Sequence, residues 1–189
     1  MTLASIANAL EDKRSRNTES LTFRIPTDNA EKLRDESQKK GISLNSFVNE
    51  ILKRYFEWYI YEPEIGFVPI LKPVVKEVFT KMSNEQIKKL AANTGKNEFQ
   101  NAVYFMKGKI DLESFLACFE ARMKNSFIQV NHTFDTNSRV HTYVVKHDIC
   151  ENWSIFLKEI IESVFNNIMR TDVEIYTSFS MLTFKYKGD

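Results

Sequence analysis

Residues 20–26 read Ser-Leu-Thr-Phe-Arg-Ile-Pro, and this short stretch decides how the N-terminal part of the chain can fold. Leu21, Phe23 and Ile25 alternate with polar residues, which is the pattern of a half-buried β-strand. Pro26 ends the strand because proline cannot donate a ladder hydrogen bond. The next strand-forming sequence lies in the C-terminal half, so a lone strand would leave its edge amides unpaired. We therefore expect two chains to pair their copies of this strand in an antiparallel ribbon.

Two helical patterns follow the strand, and neither can bury its apolar face alone. Thr27 or Asp28 is the expected cap of the first helix, which should end at residues 39–41, where two lysines and a glycine favour a helix stop. Ser43 is the expected cap of the second helix, whose apolar stripe lies within residues 47–56. Segments of about 40 residues rarely bury enough surface as monomers, so these elements predict a dimer.

The order of strand, helix, Gly-Ile-Ser-Leu-Asn-Ser turn and helix resembles the ribbon-helix-helix family of DNA-binding proteins, which includes the Arc and methionine repressors. The resemblance covers roughly residues 18–58. It implies an intertwined homodimer or higher homo-oligomer whose two-stranded ribbon enters the major groove of double-stranded DNA. By this resemblance, the base-reading positions are Ser20, Thr22 and Arg24. The phosphate-binding positions, at the dipole-positive start of the second helix, are Ser43, Leu44 and Asn45.

A cluster of basic residues precedes the strand. Lys13, Arg14 and Arg16 lie in residues 1–17, which we interpret as a flexible basic arm that contacts DNA phosphates and makes affinity depend on salt. The chain as a whole has a net charge of only +1. Dedicated nucleic-acid binders are often strongly basic, so the prediction depends on the order of the elements rather than on composition.

The rest of the chain predicts a second domain of mixed structure. Residues 61–73 hold three of the four prolines and form the predicted Pro-rich linker after a ribbon-helix-helix domain at 18–60. Residues 74–189 combine several helical patterns with a strand-rich end. We predict a hairpin from 127–134 and 140–147, a helix at about 150–169 and a single strand at 172–186. The fold class is therefore α+β, an N-terminal ribbon-helix-helix intertwined dimer followed by a helical layer with antiparallel strands that ends ββαβ.

Two histidines are the candidate metal ligands. If the hairpin turns about Thr136 and Asn137, His132 and His141 lie directly opposite each other, with Cβ atoms about 4.5–5.5 Å apart. Such a pair could share a metal or titrate as a coupled pair. Surface or half-buried histidines on an aromatic sheet are the simpler interpretation, so we predict no metal and no cofactor. His147 lies too far along the strand to join them and could instead pair with Cys150.

The sequence gives little indication of an enzyme or a membrane protein. It contains no glycine-rich phosphate loop, nucleophile elbow or metalloprotease helix motif. It has no run of roughly eighteen apolar residues, so we expect no membrane partner. Cys118 and Cys150 show no paired spacing, which favours a reducing compartment. The predicted location is therefore the cytoplasm, in association with the nucleoid.

The predicted function is sequence-specific DNA binding and transcription regulation by a homodimer. Residues 74–189 would act as a sensor of an unidentified small-molecule effector or as an oligomerisation module. Two alternatives stay open. One is an antitoxin-like protein whose second domain binds a partner protein. The other is a ligand-binding protein that uses the ribbon-helix-helix segment only for dimerisation.

Overall fold

The computed structural model describes residues 19–188, without the side chains of residues 95–97. The chain divides into two compact units between Glu50 and Ile51, inside the second helix and before the predicted linker. The predicted α+β class is confirmed, since the described residues form seven α-helices and a four-stranded antiparallel sheet. Within this range, no helix has the length and apolar character needed to cross a membrane.

The helices and strands follow one another along the chain with short connections. In order they are α1 (Thr27–Lys39), α2 (Leu44–Arg54), α3 (Lys72–Thr80), α4 (Asn84–Asn93), α5 (Gln100–Lys107), α6 (Leu112–Asn125), β1 (Gln129–Asp135), β2 (Val140–Lys146), α7 (Glu151–Val164), β3 (Val173–Thr177) and β4 (Met181–Lys187). Three π-helical turns adjoin α-helices, at Tyr55–Tyr59 after α2, at Thr94–Phe99 between α4 and α5, and at Phe165–Met169 after α7.

The described part of the first unit begins with an irregular segment where a strand was predicted. Residues 19–26 form no strand in the single chain, and α1 is the first regular element of the described residues. The physical reason is that a strand requires a hydrogen-bonded neighbour, and this segment has none within the described part of one chain. The predicted cap of α1 is also wrong, because Pro26 stands at the N-cap and no side chain caps the helix.

The turn between α1 and α2 forms as the sequence predicts. Gly41 has a φ of +66°, a left-handed conformation that glycine adopts without strain. The Oγ of Ser43 accepts a hydrogen bond from the Ser46 amide at 3.0 Å and so caps α2. Ser37 is the buried residue of α1, and its hydroxyl donates to the Arg34 carbonyl. Local chemistry therefore explains this turn without any contribution from a partner.

The second unit is built on an antiparallel sheet with the strand order β1-β2-β4-β3. The predicted hairpin is confirmed as β1 and β2. The single strand predicted at 172–186 is wrong, because residues 178–180 form a turn in which the Ser178 amide donates to the Met181 carbonyl at 2.8 Å. That turn folds the segment back as a second hairpin, β3 and β4. The chain therefore ends ββαββ.

Helices cover one face of this sheet and enclose an aromatic core. Phe115, Phe119, Phe165 and Phe184 are all fully buried. The ring of Phe184 packs edge-on against Phe119 at 5.9 Å and against Phe165 at 6.1 Å between centroids. A capping box opens α4, with reciprocal hydrogen bonds between Ser83 and Gln86. The second unit thus has its own core and its own helix signals.

Candidate nucleic-acid interface

The predicted base-reading residues are exposed at the start of the first unit. Ser20, Thr22 and Arg24 lie in the irregular segment before α1, and their apolar neighbours Leu21 and Phe23 are 66% and 65% exposed. In one chain, therefore, both the polar and the apolar members of the alternating pattern face solvent. The segment presents the side chains that the resemblance requires, but it does not by itself form the ribbon.

The predicted phosphate-binding residues occupy the first turn of α2. Ser43, Leu44 and Asn45 are contiguous there and all three are exposed. The first amides of an α-helix have no acceptor within the helix, so the Leu44 and Asn45 N–H groups are available to an anion. The Ser43 side chain already accepts from Ser46, which orders this turn before any ligand arrives.

Charges at the end of α1 are neutralised by nearby carboxylates. Lys39 Nζ lies 2.7 Å from Glu36 Oε1, and this contact lowers the pKa of Glu36 and raises that of Lys39. Lys40 Nζ lies 3.3 Å from Glu50 Oε2. Arg24, by contrast, takes part in none of the ion pairs found among the described residues.

The predicted basic arm cannot be placed in the same way. Lys13, Arg14 and Arg16 lie outside the residues that the structure describes. Their contact with DNA phosphates therefore stays a prediction.

The two histidines of the hairpin meet, although they are not directly opposed as predicted. His132 pairs with Tyr143 and His141 pairs with Phe134, so the histidines are diagonal neighbours on one face. The Nε2 of His132 nevertheless lies 2.9 Å from the Nδ1 of His141. The register differs because the carboxylate of Asp135 accepts from the Asn137 amide at 2.9 Å, which starts the turn later than expected.

Aromatic stacking surrounds this histidine pair. Tyr143 stacks on His132 at 4.2 Å, while Phe134 and Tyr186 stack on His141 at 4.3 and 4.8 Å between centroids. Burial, with a smaller effect of His132, lowers the pKa of His141. In the described chain no cluster of three or more His, Cys, Asp or Glu side chains could hold a metal ion. The two rings fit a cross-strand aromatic ladder.

His147 is buried in a hydrogen-bond chain that sequence reasoning missed. Its Nδ1 accepts from the Ile149 amide at 3.1 Å, so its Nε2 carries the proton and donates to the Ser154 hydroxyl at 2.7 Å. Ser154 in turn donates to the Ser178 carbonyl at 2.7 Å. The predicted pairing with Cys150 is therefore wrong. The sequence could have indicated this burial, because His147 lies two residues after Val145 and therefore on the same, buried face of the strand.

Burial keeps His147 neutral at ordinary pH. The imidazole is fully buried, and desolvation lowers its pKa from 6.5 to about 4, although the charge of Asp148 opposes this shift. The ring connects the end of β2, the start of α7 and the turn between β3 and β4. It is therefore a structural residue of the second unit.

Sequence reasoning also overlooked Arg122. It lies on the buried face of α6, where Phe115 and Cys118 precede it at helical spacing and are both buried. The helical spacing could have drawn attention to this arginine, because a cation on an apolar helix face requires a compensating partner.

The chain matches no model of a known protein family and no curated protein. The resemblance to ribbon-helix-helix proteins therefore rests on the residues already named.

Proposed function

We propose that the protein is a sequence-specific DNA-binding transcriptional regulator that acts as a homodimer through a β-ribbon in the major groove. The observation that carries this proposal is the exposure of alternate apolar side chains before α1. Leu21, Phe23 and Ile25 are 66%, 65% and 48% exposed in the single chain. Burying a side chain of this size contributes about 1.5–3 kcal/mol. A second copy of the segment would supply both the apolar contact and the missing backbone hydrogen-bond partners.

Pairing of the two segments would separate the two faces of the pattern. Leu21, Phe23 and Ile25 would face the helices, and Ser20, Thr22 and Arg24 would face outward from both strands. A two-stranded ribbon fits the major groove of B-DNA. The guanidinium of Arg24 would then donate two hydrogen bonds to a guanine or to a phosphate, while the shorter hydroxyl side chains make closer contacts.

The first turn of α2 would fix the position of the ribbon along the duplex. The exposed amides of Leu44 and Asn45 can donate to a phosphate oxygen, which orients the protein without reading sequence. Because the two copies are related by a two-fold axis, the operator is expected to contain two related half-sites. Association with the nucleoid would follow from this binding.

The experiment is an operator selection from random DNA followed by gel-shift titration of an Arg24→Ala variant. A good bidentate contact discriminates by about 1–3 kcal/mol, so two copies predict a loss of at least about 30-fold in specific affinity. Arg34→Ala is the matched control, because it removes the same charge from an exposed position on α1. It should change affinity by no more than about twofold, as expected of an exposed charge outside the contact.

Three outcomes would overturn the proposal. An Arg24→Ala variant that binds the selected operator as tightly as the unchanged protein would exclude base reading by this residue. A chain that dimerises but enriches no DNA sequence would favour the alternative in which the segment serves only for dimerisation. A protein that stays monomeric at micromolar concentration would exclude the ribbon, because the ribbon requires two chains.

A further inference from the structure

A cavity of about 270 Å³ lies within the second unit. Its described lining is contributed by residues of α4 to α7 and by the segments around the first two π-helical turns, and most of it is apolar. The side chains that give it this character include Trp58, Phe67, Phe99, Val103, Met106 and Ile160. Such a cavity approaches the lower size limit of ordinary small-molecule sites.

Two π-helical turns supply aromatic walls of the cavity. Trp58 comes from the turn at Tyr55–Tyr59, and Phe99 comes from the turn at Thr94–Phe99. Turns of this kind are rare and occur frequently at functional sites. Trp58 is also fixed in place, because its Nε1 donates to Glu62 Oε1 at 2.6 Å. The aromatic surface is therefore held in position before any ligand binds.

A cation also lines this apolar cavity. Arg122 of α6 is half-buried there, with its guanidinium carbon 5.7 Å from the centroid of the Phe99 ring. The ion pairs found among the described residues do not include it. Burial lowers the pKa of Arg122.

The cation–π contact with Phe99 satisfies Arg122 only in part. A ring face attracts the positive charge, but it offers no acceptor in line with the five N–H donors of a guanidinium. A carboxylate does, because its two oxygens match the planar fork of arginine in a bidentate pair. The described lining therefore combines an apolar body with one cation, Arg122, that can anchor an anion, and one exposed carboxylate, Glu98.

We propose that this cavity binds a small monocarboxylate, with its carboxylate on Arg122 and its aromatic or aliphatic body against Trp58 and Phe99. The volume of 270 Å³ corresponds to roughly nine water molecules, so the ligand has about nine or ten non-hydrogen atoms. A phosphate ester fits less well, because Arg122 is the only cation among the described lining residues and Glu98 would repel a second negative charge.

The site lies wholly within the second unit, so this inference goes beyond the proposed function and does not depend on it. Binding at Arg122 can be measured whether or not the first unit recognises DNA. If the second unit binds a carboxylate and the first unit recognises DNA, carboxylates are the chemical class of effector that the second unit senses.

Trp58 provides the readout for a direct test in the full-length chain. The sequence contains two tryptophans, so Trp153→Phe leaves Trp58 as the sole tryptophan. Fluorescence of this variant is titrated with phenylacetate, benzoate and hexanoate. For ligands of about ten atoms we expect saturable binding with a Kd on the order of 0.1–1 mM for at least one of them. No saturable change with any of the three at millimolar concentration would overturn the proposal.

Charge recognition is tested with and without a mutation. Phenylacetamide has the shape of phenylacetate without its charge, and we expect it to bind at least tenfold more weakly. Arg122→Met should lower phenylacetate affinity at least tenfold and abolish the discrimination between acid and amide. Lys124→Met removes an exposed cation from the same helix and should leave both affinities unchanged. Equal binding of acid and amide to the chain with Arg122 intact would contradict the proposal even if Arg122→Met fails to fold.

Discussion

Two segments of the chain carry nearly the same five residues and bury them very differently. The first unit contains Leu21-Thr22-Phe23-Arg24-Ile25 before α1, and β4 of the second unit contains Leu182-Thr183-Phe184-Lys185-Tyr186. Phe184 is fully buried, whereas Phe23 is 65% exposed. The difference lies in hydrogen-bond partners, because β4 is paired with β2 on one side and with β3 on the other. An alternating pattern thus specifies a half-buried strand without specifying which chain provides its neighbour.

The largest effect is expected when the apolar face of the first segment is charged. Phe23→Asp removes about 1.5–3 kcal/mol of burial from each of two copies and places a carboxylate in the predicted dimer core. The dimer dissociation constant should rise by more than about 100-fold, as measured by sedimentation equilibrium. Thr22→Asp is the matched control on the outward face, and it should keep the dimer while abolishing DNA binding. Equal dissociation constants for the two variants would contradict the ribbon.

The equivalent change in β4 should affect stability without affecting association. Phe184→Ala removes a fully buried ring, and we expect it to lower the free energy of unfolding of the second unit by about 3–5 kcal/mol. Urea denaturation followed by circular dichroism gives this value, and it should not depend on protein concentration. Phe179→Ala, at a ring that is 63% exposed, should cost no more than about 0.5 kcal/mol. Comparable losses for the two variants would be evidence against the assigned core.

The same comparison explains which parts of the fold were predictable. The Ser43 cap, the β1–β2 hairpin and the helix at about 150–169 were predicted from local patterns, and the structure confirms them. The division of residues 172–186 into two strands was missed, because the turn at Ser178 contains neither glycine nor proline. Periodicity gives the face on which a side chain lies, but turn chemistry sets where a strand ends.

The candidate site residues also differ in how far local sequence patterns predict their surroundings. The alternation of side chains along a strand correctly placed His132 and His141 on one face. Because the turn lies later in the sequence than predicted, the two histidines are diagonal neighbours instead of a directly opposed pair. The role of Arg122 could not be deduced, because the cavity around it is lined by residues from Trp58 to Ile160, which are distant in sequence. A strand face can be deduced from adjacent residues, whereas a cavity requires the packing of several helices.

Acid should destabilise the second unit through His147. In the unfolded chain this imidazole binds a proton with its ordinary pKa of 6.5, whereas in the folded chain burial lowers the pKa to about 4. The unfolded state therefore holds more protons between these values. The free energy of unfolding should fall by up to about 1.4 kcal/mol per pH unit as pH decreases through this window. Urea titrations at several pH values would measure the slope.

A histidine variant separates this effect from general acid unfolding. His147→Gln cannot titrate, so its pH dependence between 6.5 and 4 should be flatter than that of the unchanged chain. His141→Gln removes the other imidazole whose pKa burial lowers, and it should flatten the slope less because that ring is only partly buried. A slope that survives in His147→Gln would assign the acid sensitivity to other groups.

The smallest effect concerns helix caps, which have the same chemistry in both units. Ser83 Oγ accepts from the Gln86 amide at 3.3 Å, and Ser43 Oγ accepts from the Ser46 amide at 3.0 Å. Replacing either serine by alanine should cost about 1 kcal/mol. For Ser83→Ala this loss should appear in urea denaturation at any protein concentration, because α4 belongs to a unit with its own core. For Ser43→Ala it should appear as a rise in the dimer dissociation constant, since in the proposed dimer the first unit completes its burial only with a second copy. If the Ser43→Ala loss were equally independent of protein concentration, the first unit would be stable as a monomer. The two units would then differ only in how much apolar surface they expose, and not in their need for a second copy.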